Sequence, residues 1–170
     1  MSHGPLADLR IIEWGESIPT SYCSKLLGDL GAEVIKIESL PSGDPCRFKG
    51  PFLPDAPHPN ASALFLYLNT NKYSVTLNLE TPTGREILHQ LLDQSDFFLE
   101  GRLPKDMERL ELDYDTLHKH HPKLIVVSLT PFGQKGPYRN YVTSDLVSFQ
   151  IGGFGNGTPG RGGNPNDPPL

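Results

Sequence analysis

The stretch from Leu9 to Glu38, LRIIEWGESIPTSYCSKLLGDLGAEVIKIE, constrains the fold more than any other part of the sequence. Leu9 to Trp14 is a short apolar run with two isoleucines, the length of a buried strand. From Pro19 to Leu30, the residues Tyr22, Leu26, Leu27 and Leu30 recur at helical spacing, which predicts one apolar helical face. Ser17 is the expected N-cap before Pro19, and Gly28 and Gly31 punctuate the exit. Ala32 to Ile37 then reads as a second strand ending at the acid Glu38. Strand, helix and strand in about thirty residues form a βαβ unit, whose strands lie parallel and adjacent. Such sheets bind ligands in the crevice beyond the strands' carboxyl ends. Here that edge carries residues 15–20 and 38–47.

Downstream, strand and helix signals continue to alternate. Residues 39–62 contain six prolines and cannot be regular; a loop of that length inside a domain is usually functional or disordered. Its Arg47 and Lys49 are candidate phosphate contacts or solvated surface charges. Tyr73 to Leu79 alternates as a strand should. Thr81 and Pro82 form a helix start, after which Ile87, Leu88, Leu91 and Leu92 share a face. Phe97 to Leu99 is a short strand, Lys105 to Leu110 and Tyr114 to His121 are helical pieces, and Leu124 to Leu129 is strand. The fold class is therefore α/β, an open, mainly parallel, Rossmann-like sheet with flanking helices. Residues 1–151 form the structured part and 152–170, rich in glycine and proline, an irregular tail or linker.

Composition narrows the functions available. A net charge of −5 argues against general binding to nucleic acid or anionic membranes, so an anionic ligand needs a local basic pocket. Cys23 and Cys46 lack metal-ligand spacing and read as reduced thiols of a cytoplasmic protein. No apolar run reaches membrane-spanning length, and the first strand begins too early to leave room for a signal peptide.

Dinucleotide binding is suggested by Glu38 at the end of the second strand, but the first turn, WGESIPT, has one glycine where three are needed. A GxGxxG string at Gly155, Gly157 and Gly160 has neither the preceding strand nor the following helix that would give it meaning. His118, His120 and His121 make a poor metal site and suit a helix C-terminus before Pro122, while His89 stands alone on the preceding helix. No metal is expected. Asp145 follows a polar loop after the Leu124–Leu129 strand and leads into an apolar helical run, where a lone acid reads as an N-cap.

Taken in order, five segments resemble one family. They are PLADLRIIEWG, LLGDLGAEVIKIESLPSGDPCR, NTNKYSVTLNLETPTGREIL, SDFFLEGRLPKDMERLELDYDTL and HPKLIVVSLTPFGQKGPY. The chain is similar to the family III CoA-transferases (CaiB/BaiF-like), which include formyl-CoA:oxalate and carnitine CoA-transferases and α-methylacyl-CoA racemase. The resemblance implies coenzyme A, bound as an acyl-CoA substrate and not as a tightly held cofactor, at the carboxyl ends of the first strands. The CoA-contacting positions fall on Ser17, Ile18, Pro19, Ser39, Leu77, Arg102, Asp106 and Arg109. The family string ENFRPG is EGRLPK here.

The activity implied is transfer of CoA between carboxylic acids. An aspartate carboxylate attacks the thioester to give an aspartyl-acyl anhydride, and exchange with CoA and an incoming acid completes the transfer. That nucleophile is expected beyond a PPL-like string, and the chain stops at Pro168-Pro169-Leu170, so the nucleophile is expected past residue 170. Asp145 matches a second, orienting acid, and Ser144 stands where racemases carry histidine. The chain is accordingly expected to be an amino-terminal fragment, part of a domain from an interlocked homodimer. The alternatives are a racemase, whose α-proton abstraction needs a base that Ser144 cannot supply, and a non-catalytic CoA-binding module.

Overall fold

The computed structural model describes residues 4–16, 18–52 and 57–157. The chain divides into two compact units, one through Thr130 and one from Pro131. In the first unit, five strands pair in parallel in the order β3-β2-β1-β4-β5. They are β1 (Arg10–Trp14), β2 (Glu33–Glu38), β3 (Lys72–Thr76), β4 (Phe97–Glu100) and β5 (Ile125–Ser128). The helices are α1 (Ile18–Asp29), α2 (Ala63–Leu68), α3 (Pro82–Leu92), α4 (Pro104–Arg109) and α5 (Tyr114–His120). β1 connects outward to β2 on one side and pairs with β4 on the other, so the chain direction across the sheet reverses between β1 and β4. In an open parallel sheet that reversal leaves a crevice at the carboxyl ends.

Both faces of the sheet are covered, as parallel pairing requires. On one face Ile12, Ile37 and Phe98 pack with Leu88 and Leu92 of α3, Met107 of α4 and Leu117 of α5. Burying side chains of this size contributes about 1.5–3 kcal/mol each. Thr81 caps α3 by accepting the Gly84 N–H at 3.1 Å, and Pro82 occupies the first turn, as the sequence predicts. Asp113 caps α5 in the same way through Thr116. β3 is shorter than the Tyr73–Leu79 pattern suggests: the chain leaves the sheet after Thr76, and Leu77 to Glu80 turn toward the strand ends.

The other face differs from the sequence expectation. Only Leu27 and Cys23 of α1 join the apolar cluster of Ile11, Ala32, Val34 and Leu99. Tyr22, Leu26 and Leu30 face outward and are exposed, while Thr20, Ser21, Ser24 and Gly28 face the sheet. The reason is the charge that the sheet presents there. Glu13 of β1 lies opposite Lys36 of β2 in register, with Lys36 Nζ 2.7 Å from Glu13 Oε1 and both side chains buried. Lys72 Nζ sits 2.9 Å from Glu13 Oε2, and Lys36 Nζ also reaches Asp44 Oδ2 at 2.8 Å. Buried charges must be paired and fully hydrogen-bonded. The Ser21 and Ser24 hydroxyls donate to Glu13 at 3.0 and 2.7 Å, and small hydroxyl side chains let the helix approach that closely. Burial pushes the Glu13 carboxyl up, but Lys36 and Lys72 outweigh it and hold it below its usual range.

His89 does not stand alone. Its Nδ1 lies 2.8 Å from His121 Nε2, and His121 Nδ1 reaches Asp93 Oδ1 at 3.0 Å, joining α3 to the end of α5. His118 and His120 lie in the last turn of α5, as their sequence position suggests.

In the second unit, Phe132, Tyr138 and Tyr141 cluster, with the two tyrosine rings 5.2 Å apart. Helix α6 (Asp145–Ile151) and a 3₁₀ turn (Phe154–Gly157) follow. Ser144, not Asp145, occupies the N-cap position, with extended backbone and no side-chain cap bond. Asp145 is the first helical residue, where an acid favours the helix dipole without capping it. Gly160 and the rest of residues 158–170 lie outside the described residues.

Candidate functional site

The reversal between β1 and β4 opens into a cleft of about 300 Å³. Each wall comes from the segment that follows a different strand: Trp14 and Glu16 from β1, Ser39 and Leu40 from β2, Leu77 to Glu80 from β3, Arg102 from β4. Asp106 in the first turn of α4, Arg109 at its end and Leu110 just past it close one side. Five positions implied by the family resemblance, Ser39, Leu77, Arg102, Asp106 and Arg109, are thus gathered on one cavity. Ile18 and Pro19 are exposed at the first turn of α1 and do not line it. Ser17, and with it the expected N-cap of α1, lies outside the described residues. Ser144 and Asp145 are exposed at the start of α6 in the second unit.

Arg102 is the centre of the cleft. Its Nη2 donates to Glu16 Oε1 at 2.7 Å and to Ser39 Oγ at 3.1 Å, and its guanidinium carbon stands 4.8 Å from the centre of the Trp14 ring. The turn that carries it is held by Glu100, whose Oε2 accepts the Arg102 N–H at 2.7 Å. Glu100 is buried, and burial pushes its carboxyl up, with the Ser128 hydroxyl and the Arg102 N–H partly opposing. Arg109 meets Glu80 as a two-pronged pair, 2.6 and 2.8 Å, on the open side of the cleft. That hydrogen bonding holds the Glu80 carboxyl below its usual range and Arg109 above its own. Two buried donors at the cleft are without a hydrogen-bond acceptor: Trp14 Nε1 and Arg102 Nε. Trp14, Glu16 and Glu80 are cleft residues that sequence reasoning missed. The available signal was position, since each immediately ends or follows a strand or its exit turn.

Glu38 is where a ribose-binding acid would stand, but it is fully engaged inside the protein. It accepts from Arg47 Nε and Nη2, both at 2.7 Å, from Ser74 Oγ at 2.7 Å and from the Asp44 N–H at 3.0 Å. Burial would push the Glu38 carboxyl up, but these donors outweigh it and hold it at about 2. Arg47, by sequence a candidate phosphate contact or solvated charge, is largely withdrawn into this pair. Besides pairing with Glu38, it lies 3.8 Å from the centre of the Phe65 ring. The pair has a structural role: with Asp44 on Lys36, it pins residues 39–47 beside the cleft. Among the described residues, no group of three or more His, Cys, Asp or Glu side chains is placed to hold a metal ion. No described helix is long and apolar enough to cross a membrane.

Known proteins are similar to this chain in sequence and in fold. A succinyl-CoA–D-citramalate CoA-transferase from Chloroflexus aurantiacus is 35% identical over 150 residues, 88% of this chain and 36% of that protein. The succinyl-CoA:glutarate CoA-transferase of Mus musculus is 33% identical over 165 residues, 96% of this chain and 37% of that protein. The chain therefore spans little more than a third of the length of these curated relatives. A crystal structure of a CaiB/BaiF family protein from Brucella suis superposes with a TM-score of 0.81 at 32% identity, covering all of this chain and 43% of that one. The orthorhombic structure of a Mycobacterium tuberculosis protein gives 0.83 at 33% identity, with 46% of its chain covered. The family model described as CoA-transferase family III matches residues 6–170. With that match over nearly the whole chain and these similarities in sequence and fold, this chain belongs to CoA-transferase family III.

Proposed function

We propose that the intact protein transfers CoA between carboxylic acids and that the cleft between β1 and β4 holds the CoA portion of the acyl-CoA. The observation that carries this reading is the convergence of Ser39, Leu77, Arg102, Asp106 and Arg109, from four separate segments, on one cavity. Two guanidinium groups suit phosphate oxygens, because a planar fork matches their geometry. Trp14, Leu77 and Leu110 supply apolar surface for the remainder of the ligand. Relatives that cover most of this chain are named as CoA-transferases acting with succinyl-CoA, which supports a carboxylate acceptor.

On this reading the acyl group passes through an anhydride on an aspartate beyond residue 170. Attack by the carboxylate forms the anhydride and releases CoA as the thiolate. The thiolate then attacks the aspartyl carbonyl, expelling the donor acid and leaving an aspartyl-CoA thioester. The acceptor carboxylate attacks that thioester to give a second anhydride, and the released thiolate takes the acceptor's acyl group and frees the aspartate. Asp145 orients the reacting groups and is not the nucleophile. Ser144 lacks the basicity that a racemase needs at this position. The reading also carries a homodimer in a cytoplasmic setting. The free thiols of Cys23 and Cys46 support that setting. The experiment is to supply the intact protein with a panel of acyl-CoA donors and free dicarboxylic or aryl acids, and to follow CoA exchange by chromatography. Transfer that hydroxylamine interrupts by trapping an acyl-enzyme supports the reading. Deuterium entering the α carbon of a 2-methylacyl-CoA at a catalytic rate, without acid exchange, would overturn it.

A further inference from the structure

The charges of the cleft carry a second message. Both of its arginines are already paired with carboxylates of the same chain: Arg102 with Glu16 and Arg109 with Glu80. With Asp106 also in the wall, three acids face two cations. A cavity built to receive phosphate would be expected to leave its cations open. This one closes them with its own anions, each carboxylate standing where a ligand oxygen would hydrogen-bond.

The closure is also incomplete. Arg102 Nε and Trp14 Nε1 are buried and have no acceptor. A buried donor without a partner is unfavourable. Glu16 meets Arg102 through one guanidinium nitrogen, Nη2, and leaves Nε unmatched. An incoming group with several acceptor oxygens can engage more of that edge than Glu16 does. A singly charged carboxylate can match that edge with two oxygens but brings no more charge than the resident Glu16 already supplies.

We infer that Glu16 and Glu80 are resident competitors for the two arginines, so that a phosphorylated ligand enters by exchange with these carboxylates. They thereby set how highly charged that ligand must be. This inference rests on the reading of the cleft as a CoA site, and it adds that the two glutamates weaken CoA binding while excluding simple monoanions. Removing either negative charge relieves one competitor and one repulsion.

The test is calorimetric titration of the intact protein and its Glu16→Gln and Glu80→Gln variants with CoA, inorganic pyrophosphate, acetate and pantetheine. Each variant should bind CoA and pyrophosphate roughly three- to tenfold more tightly, the scale of an exposed ion pair and one like-charge repulsion removed. Pantetheine affinity should not move, because it carries no phosphate. Acetate should gain in the variants relative to the parent. Unchanged or weakened CoA and pyrophosphate binding in both variants would overturn the exchange, as would equal tightening of pantetheine. Tightened pyrophosphate binding by a protein that does not bind CoA would sink the CoA reading while leaving the exchange in place.

Discussion

Glu13 and Lys36 face each other across β1 and β2 with an oxygen–nitrogen distance of 2.7 Å and almost no exposure to solvent. Around them, Lys72, Asp44, Ser21 and Ser24 complete a charge-balanced, hydrogen-bonded group under α1. Breaking a buried pair by removing one partner leaves an uncompensated charge. Glu13→Ala is therefore expected to lower unfolding free energy by about 3–5 kcal/mol in urea titrations. Lys36→Met should destabilise more than Lys72→Met. The Glu13 and Asp44 charges raise Lys36 against its burial, whereas burial wins at Lys72 and lowers it. The reverse order would contradict this account of the network.

Acid stability should carry the signature of Glu38. Its folded carboxyl titrates at about 2, well below the unfolded value of 4.5. A depressed folded value means stability that is fully present above the unfolded value and lost as pH falls through the folded one. The advantage of the parent over Glu38→Gln should thus be constant above roughly pH 5 and shrink toward pH 2, by an order-of-magnitude 3 kcal/mol in all. Chemical unfolding at a series of pH values measures it. A difference that does not vary with pH would show that Arg47 does not hold the carboxylate.

Gly84 tests how tightly α3 is seated behind the cleft. A Cβ placed there would stand 2.0 Å from the Asn78 carbonyl oxygen, which is backbone and cannot swing away. Overpacking of that kind is unfavourable by about 1–3 kcal/mol, exceeding the gain of about 1 kcal/mol that alanine brings to a helix. Gly84→Ala should lower the melting temperature and, because Asn78 is in the cleft wall, weaken CoA binding as well.

Arg102→Ala is expected to weaken CoA binding by about 1.5–3 kcal/mol, roughly ten- to a hundredfold in the dissociation constant. Lysine should not restore it. A single ammonium cannot serve Glu16, Ser39 and the Trp14 face together, as the planar guanidinium does. Calorimetry on both variants decides the point.

Much of the fold was legible because its signals are local. The Leu9–Trp14 run, the Thr81-Pro82 start and the Leu124–Leu129 strand each depend on a few adjacent residues, and each stands where the pattern puts it. The orientation of α1 was not. Apolar spacing in Tyr22, Leu26 and Leu30 marks a face without saying which way it turns, and here charge on the sheet decided. That charge depends on Glu13 meeting Lys36 and Lys72 across three strands, a register that no local window contains. The His89–His121 contact and the Arg47–Glu38 pair escaped for the same reason. Within the cleft, family likeness pointed to Arg102 and Arg109, but their glutamate partners were invisible, since a salt bridge is a property of two positions and sequence likeness was read one at a time.

The walls of the cleft come from the ends of four strands that are far apart along the chain. Only a piece running from β1 to just past the end of α4 carries every wall residue, so affinity cannot be inherited by a short peptide. A ligand seated there bridges segments that meet only in the folded sheet, so a thermal shift with ligand reports on topology as much as on contact chemistry.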